Sequence, residues 1–402
     1  MNHSTGTDSR PTVADGVTGS YGDTFTIGAT GRGHARFSNN FADTARGGFR
    51  ASTRYGFDNG DWKIDGQLGY SKARTWLRGP EKGIVNNIVV QEAIPLRVEL
   101  LEIDPLTGPR KIRVLNNANE EINTHDPSYH NFTTITQVNV VARDVRDDVL
   151  TYSLDGKRNL DVLPFPASVQ LGGVRKIQER DRRARSDVYT YNGVNGDRSP
   201  KPYMWPIDPL RWDPYGVAAP VPSPYPLVTA WKANPALMTQ TVAQAGTSEQ
   251  FRRTNSEFIK ETADALYFQA EARLLNNRLQ VLTGVRYEKT TDEGAGGLNT
   301  PDAVFQRNAD GSFVLTAAGA RIRRADAGAT GSVEQINLTW HEREARSKRS
   351  YDDYYPSLHF TYNLTEKFLA RAAYAKTYGR PNFTFIIPNT VVNEFENAEG
   401  DV

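Results

Sequence analysis

The residues best able to do chemistry in this sequence are scattered, and their spacing argues against a catalytic centre. Two carboxylate pairs occur, Asp147-Asp148 and Asp352-Asp353. Neighbouring residues of a strand point to opposite faces, so neither pair can share an acid/base site. His125 and His130 lie in a stretch of loop character, where lone histidines are seldom metal ligands. There is no His-Glu-x-x-His, no Gly-x-Ser-x-Gly and no phosphate loop. Asp302, Asn308 and Asp310-Gly311 lack both the alternating acidic spacing and the distal Glu of a calcium loop. Gly31-Arg32-Gly33 opens like a dinucleotide fingerprint but lacks the third glycine and the flanking helix. With no cysteine, disulfides, thiol catalysis and Cys-ligated zinc are excluded. No catalytic residue, metal ligand or cofactor site is expected, and the chain reads as non-enzymatic.

Two clusters read as binding chemistry instead. Residues 175–187 hold Arg175, Lys176, Glu179, Arg180, Asp181, Arg182, Arg183, Arg185 and Asp187. Guanidinium groups at Arg180, Arg182 and Arg183 suit an anionic ligand or phosphate groups. The plainer reading is a solvated strand whose mixed charges screen one another. Residues 200–231 are rich in Pro and aromatics. Trp205, Trp212, Tyr215 and Trp231 offer flat stacking faces on a loop stiffened by proline. The plainer reading there is a loop packed on itself.

The elements that must position these residues follow from composition and period. The chain has 402 residues, with 48 Lys plus Arg against 47 Asp plus Glu, so nothing electrostatic points to nucleic acid. Aromatics are plentiful, at 18 Tyr, 17 Phe and 6 Trp, yet no window of ~20 apolar residues offers a transmembrane helix. The dominant signal is alternation with period two. Leu266, Phe268, Ala270, Ala272 and Leu274 oppose Tyr267, Gln269, Glu271 and Arg273. After Asn276-Asn277 the pattern resumes with Leu279, Val281, Thr283, Val285 and Tyr287 on one side, which predicts a hairpin. A second hairpin is expected over residues 355–377 about Thr365-Glu366. A third is expected about Asp58-Asn59-Gly60, between Phe49–Phe57 and Trp62–Tyr70. A fourth is expected to turn at Asp155-Gly156-Lys157 and return through residues 160–192.

These runs reach the ~9–11 residues that a tilted strand needs to cross a bilayer. Their apolar faces are free of charge across the central span, where a Lys or Arg would cost ~2–4 kcal/mol. Short links alternate with long ones, the habit of an up-and-down membrane barrel with tight turns on one side and long loops on the other. Aromatics such as Tyr55, Trp62, Tyr70, Tyr287, Tyr354 and Tyr374 fall near strand ends, where interfacial girdles lie. The expected fold is all-β, a transmembrane antiparallel up-and-down β-barrel. Its hairpins are placed at about 44–78, 140–192, 260–293 and 350–379, and its long extracellular loops at about 78–140, 193–260 and 294–350.

Residues 353–383 read Asp353-Tyr354-Tyr355-Pro356-Ser357-Leu358, Tyr362-Asn363-Leu364-Thr365, Arg371-Ala372-Ala373-Tyr374-Ala375-Lys376-Thr377 and Gly379-Arg380-Pro381-Asn382-Phe383. With Gly284-Val285-Arg286-Tyr287-Glu288 and Leu163-Pro164-Phe165-Pro166-Ala167, this stretch resembles the barrel of TonB-dependent outer-membrane receptors. The match is good over about 260–383, weaker over 44–192 and absent from the long loops. The resemblance implies a plugged 22-strand barrel in the outer membrane of a Gram-negative bacterium. It implies energised uptake of a bulky nutrient such as a siderophore, cobalamin, haem or oligosaccharide. The polar start Met1-Asn2-His3-Ser4-Thr5-Gly6 and the end Glu399-Gly400-Asp401-Val402 lead us to expect a partial barrel of about 8–10 strands over residues 1–402, without signal peptide or plug. The expected partners are outer-membrane lipid and lipopolysaccharide, a nutrient ligand, and the TonB complex only through a plug domain; nucleic acid is not expected. Two alternatives are a passive porin-like barrel and a soluble all-β carbohydrate-binding or hydrolytic protein.

Overall fold

A computed structural model describes residues 2–4, 19–92, 96–123, 133–204, 222–379, 387–388 and 390–391. It is mostly β, with 61% of the described residues in strand conformation. In chain order the strands begin β1 (Asn2–Ser4), β2 (Ser20–Gly22), β3 (Phe25–Ile27), β4 (His34–Asn40), β5 (Asp43–Asp58) and β6 (Trp62–Arg78). Then come β7 (Asn87–Glu92), β8 (Leu96–Asp104), β9 (Gly108–Asn116), β10 (Thr133–Asn159), β11 (Ala167–Tyr191) and β12 (Met238–Thr239). The series ends with β13 (Glu257–Leu274), β14 (Leu279–Asn299), β15 (Trp340–Asn363), β16 (Leu369–Ala375) and β17 (Thr390–Val391). Among the described residues three α-helices, α1 (Pro224–Ala233), α2 (Val242–Thr254) and α3 (Val333–Thr339), lie in the long connections. Among the described residues no helix is long and apolar enough to cross a membrane.

Among the described residues, seven long strands and the short β16 form an antiparallel meander in the spatial order β5, β6, β10, β11, β13, β14, β15, β16. Strand β10 is 27 residues long and β11 is 25, far beyond the ~9–11 a bilayer requires. The surplus projects as a ribbon on the side of the long connections. There β7 takes over from β6 as the partner of β10. Among the described residues the sheet does not close on itself: β5 and β16 are each paired on one side.

The register places all the apolar alternates on one face. Leu266 lies between Gly173 and Tyr287, Phe268 between Leu171 and Val285, and Tyr152 between Leu68 and Arg175. This face is open: Leu266 is 62% exposed, Leu154 62%, Leu171 63% and Phe268 47%. A soluble sandwich would seal these side chains between two sheets, and among the described residues no second sheet covers them. The band is uncharged from Trp62 to Tyr70, from Leu266 to Leu274, from Leu279 to Tyr287 and from Tyr354 to Tyr362. Nine residues advance ~30 Å along a strand, and a ~35–45° tilt reduces this to roughly the ~25 Å apolar belt of membrane barrels. Tyr70, Tyr152, Tyr287 and Tyr354 mark its loop-side edge. Just beyond them the outer face turns ionic, with Lys72, Asp148, Asp264, Lys289 and Asp352. The inner face carries most of the polar side chains, with Asp65, Asp155, Gly172, Tyr267, Arg286 and Tyr355 forming one row and Leu282, Val174 and Leu369 among the apolar exceptions.

The short turns show why the chain reverses where it does. In the β5–β6 turn Gly60 takes φ 89°, its N–H bonds Asp58 Oδ1 at 3.0 Å, and the Trp62 N–H bonds Asn59 Oδ1 at 2.8 Å. The β13–β14 turn strings together three left-handed residues, Leu275, Asn276 and Asn277; the two asparagines adopt this region more easily than most residues. The turn expected at Asp155-Gly156-Lys157 is not there. Those residues are inside β10, and the chain reverses over 160–166. Pro164 and Pro166 lack the N–H that a ladder needs, so the break falls on them. Asp155 is wanted in the strand, because the Tyr267 hydroxyl donates to it across Gly172. Gly172 leaves the space that the Tyr267 ring covers.

The strands also run further than the expected hairpin bounds, and the long connections are built rather than structureless. β10 starts at Thr133, β14 ends at Asn299 and β15 starts at Trp340. Beyond the membrane both faces of a strand meet water, so its alternation fades although its hydrogen bonds continue. Strands β2, β3, β8 and β9 form a separate four-stranded sheet. The buried core sits here, on the loop side: Val85, Ile88, Val90, Leu96, Val98, Ile135, Val138, Tyr191 and Leu227 pack together. The wall that faces lipid is one layer thick and has no such core.

Candidate ligand-binding site

Alternation along β11 decides where the arginines of residues 175–187 go. Arg180 and Arg182 share the inner face, whereas Arg183 and Arg185 project from the outer one. Arg180 Nε donates to Asp147 Oδ1 at 3.0 Å across the β10–β11 pair. Arg182 meets Glu257 at 2.7 Å and Asn255 Oδ1 at 3.3 Å. Arg183 reaches Asp181 at 3.5 Å and keeps 64% of its side chain exposed, so it is the least engaged of the three.

Just before β13, α2 packs against β11 and β15. Thr241 and Gln244 close a capping box at the start of α2, which satisfies backbone N–H groups the helix leaves free. Arg252 and Arg253 lie in its last turn, where cations oppose the helix dipole. Both clasp Glu249 at 2.7 Å. The Arg252 guanidinium, resisted by burial and aided by Arg253, holds the Glu249 carboxyl at about 2. Arg252 also reaches Glu342 at 2.7 Å, and Ser256 Oγ donates to the other oxygen of Glu342 at 2.7 Å. Burial pushes the Glu342 carboxyl up, but Ser256 and Arg252 outweigh it and leave it below the ordinary value. Arg343, at φ 61°, ties the group together. It donates to Ser256 Oγ at 2.9 Å and to the Asp181 carboxylate. A cleft of about 380 Å³ opens beside this network, lined by Arg74, Trp76, Asp144, Arg183, Arg185, Arg252, Ser256 and Glu342. Arg74 pairs with Asp144 at 2.7 Å and lies 4.8 Å from the centroid of the Trp76 ring.

Of the aromatic residues expected to meet ligand, Trp231 is on α1 and packs edge-on against Tyr189, with centroids 5.0 Å apart. Trp205, Trp212 and Tyr215 lie outside the described residues. The cleft residues Arg74, Trp76, Asp144 and Glu342 were not singled out from the sequence. Their partners are remote: Arg74 and Asp144 are 70 residues apart. Among the described residues no cluster of three or more His, Asp or Glu could hold a metal ion. The cleft's guanidinium groups are ion-paired, the Trp76 ring lies beneath Arg74, and Arg74, Asp144, Arg183 and Arg185 all project from the outer face of the wall.

A single antiparallel wall with an exposed apolar outer band, an ionic inner face and structured loops beyond one rim defines an outer-membrane type of β-barrel. The family model described as TonB dependent receptor-like, beta-barrel matches residues 2–400. The chain belongs to this family, one of receptors and transporters in the outer membrane of Gram-negative bacteria. No curated protein matches. Among solved structures, the chain is 11% identical to the ferric-catecholate import receptor Fiu from E. coli K12 in its open form. It covers 89% of this chain and 50% of that one, with a TM-score of 0.33. It is 8% identical to the unliganded ferric citrate transporter FecA, covering 89% and 40% with a TM-score of 0.28. It is 8% identical to BauA, the ferric preacinetobactin receptor from Acinetobacter baumannii, covering 87% and 45% with a TM-score of 0.28. The chain therefore spans half or less of each of these proteins.

Proposed function

We propose that this chain forms part of the wall of a TonB-dependent outer-membrane receptor that takes up a bulky polar nutrient with energy from the inner membrane. The observation that carries the reading is the division of one sheet into a lipid-type band and an ionic inner face, in a chain of this family. The ligand class is a siderophore, a cobalamin or an oligosaccharide. Arg180 and Arg182 on the inner face are its proposed contacts from the wall. Arg183 and Trp231 at the rim, with Trp205, Trp212 and Tyr215 in the connecting loop, are its proposed contacts from outside. The cell outer membrane is the proposed location, and coupling to the TonB complex is proposed to run through a plug domain. No covalent chemistry is assigned to the ligand site.

The test is uptake by cells expressing the full-length protein. Labelled ferric siderophores, cobalamin and maltooligosaccharides are offered one at a time, with and without a protonophore. The reading expects one class to be taken up at sub-micromolar concentration and uptake to stop with the protonophore. Uptake that rises linearly with concentration and ignores the protonophore would indicate a passive pore and overturn it.

A further inference from the structure

The inner face of the wall is electrically two-sided. On β5 the inward residues include Arg46, Arg50 and Arg54, four positions apart on one face of one strand. Arg54 is tied to Asp65 at 2.8 Å. Arg46 and Arg50 are exposed, and no ion pair is found for either among the described residues. Their register partners on β6 are Thr75 and Ser71, and beyond these on β10 come Val145 and Val149. Lys176 of β11 also points inward, between Thr151 and Ala263, and has no ion pair among the described residues. Carboxylates gather on the other flank, where Glu261, Glu288 and Asp292 of β13 and β14 are buried. Asp147 of β10 is held by Arg180.

Height and spacing decide what can bridge these cations. Arg50 stands opposite Ser71, one residue above Tyr70, and Lys176 stands opposite Thr151, one residue above Tyr152. Both therefore lie at the loop-side edge of the apolar band. Arg46 is four residues, ~13 Å, higher on β5. Strands β5 and β11 are three strand spacings apart, roughly 14 Å. The inner face between them holds Gly69 and Ser71 on β6 and Val149 and Thr151 on β10, all small or neutral. The long-loop side of a membrane barrel is extracellular, so a ligand entering from outside meets this part of the wall first. Side chains of a strand stand roughly perpendicular to the sheet. A strand bordering the other edge of β5 thus lies beside the two guanidinium groups and not over them.

We propose that Arg46, Arg50 and Lys176 form a cationic track on the loop-side half of the inner wall, which draws in a nutrient of net negative charge. The ligand carries several carboxylate, phosphate or catecholate oxygens and lies across the neutral floor between β5 and β11. Each guanidinium offers two parallel donors to such oxygens, and the Lys176 ammonium adds a point charge on the far side of the floor. The buried carboxylates of β13 and β14 repel an anion from the opposite flank, so the field across the lumen points it to this one. The inference rests on the uptake reading and narrows its ligand to anions.

The experiment is stopped-flow binding to the full-length protein in detergent, read by tryptophan fluorescence. Trianionic ferric tris-catecholate, anionic ferric citrate, neutral ferric trihydroxamate, cobalamin and maltohexaose are offered one at a time, at low and at high salt. The expected result is that an anion binds and that high salt slows its association at least about tenfold. Arg46→Gln combined with Arg50→Gln, and separately Lys176→Gln, should slow low-salt association about three- to tenfold and flatten the salt dependence. Arg50→Lys should keep that dependence. Heat-modifiable gel migration checks that each variant folds. Binding of neutral ligands alone, or of none, would overturn the track. So would variants that unfold more easily while the salt dependence stays as in the wild type, because a neighbouring carboxylate would then already neutralise the cations. Protonophore-sensitive uptake of a neutral nutrient would sink the track and leave the transport reading standing, whereas salt-dependent anion binding without uptake would do the reverse.

Discussion

Replacing Phe268 by Arg should destabilise the barrel severely, whereas the same replacement at the adjacent Gln269 should not. Phe268 lies near the middle of the uncharged run from Leu266 to Leu274, 47% exposed on the outer face, with Leu171 and Val285 beside it. A guanidinium there has no counter-ion within the band and meets acyl chains. The depth-dependent cost is ~2–4 kcal/mol at the midplane, a roughly 30- to 700-fold change in the folded-to-unfolded ratio. Gln269 points inward, between Gln170 and Gly284. Water and polar side chains meet an arginine there, so the cost should stay within about 0.5 kcal/mol, as at an ordinary surface site. The assay is urea unfolding of the full-length protein in thin-bilayer vesicles, followed by tryptophan fluorescence. Equal losses for the two variants, or a larger loss for Gln269→Arg, would refute the assignment of the faces.

Three further outcomes follow from the turns and the loop side. Asn277 is held at φ 68°, so Asn277→Ala should cost about 1 kcal/mol, read in the same unfolding assay, while Asn277→Gly should be neutral within about 0.5 kcal/mol. Arg343 also has a positive φ, yet its side chain ties Asp181 to Ser256; Arg343→Gly should still lose roughly 1–3 kcal/mol in local stability, measured as faster hydrogen exchange at the start of β13. The Glu249 carboxyl sits below its ordinary value, at about 2. Its contribution to anchoring α2 is thus fully present above about 4.5, the unfolded carboxylate value, and is lost as pH falls toward 2. Protection factors of the α2 amides, which correct for the pH dependence of intrinsic exchange, should fall between pH 5 and 2.5 in the wild type, and in Glu249→Gln they should be low and flat over that window.

The membrane-spanning part of the fold was legible because lipid on one side and water on the other impose a strict period of two. Leu266 through Leu274 and Leu279 through Tyr287 pair along their full length. Asp58-Asn59-Gly60 and Asn276-Asn277 turn where asparagine and glycine permit it. The misplaced turn at Asp155-Gly156 shows the limit of that logic. Glycine marks a turn in one context, while in this sheet Gly172 makes room for the Tyr267 ring and Asp155 accepts its hydroxyl. The loop-side architecture was less legible, because alternation vanishes once both faces are wet. The capping box of Thr241 and Gln244 was a readable local sign of α2. The ion pairs Arg74–Asp144 and Arg343–Asp181 join residues 70 and 162 positions apart. Their pairing depends on strand register, which a single sequence does not display.

The face that meets hydrocarbon can be measured directly. The chain has no cysteine, so single cysteines at each of positions 264–274 can be spin-labelled in the full-length protein and reconstituted in bilayers. Oxygen should broaden the labels at 266, 268, 270 and 272, with a maximum near 268–270, while a water-soluble nickel chelate should reach those at 265, 267, 269 and 271. The opposite phase, or chelate access at 268 and 270 equal to that at their neighbours, would contradict the account.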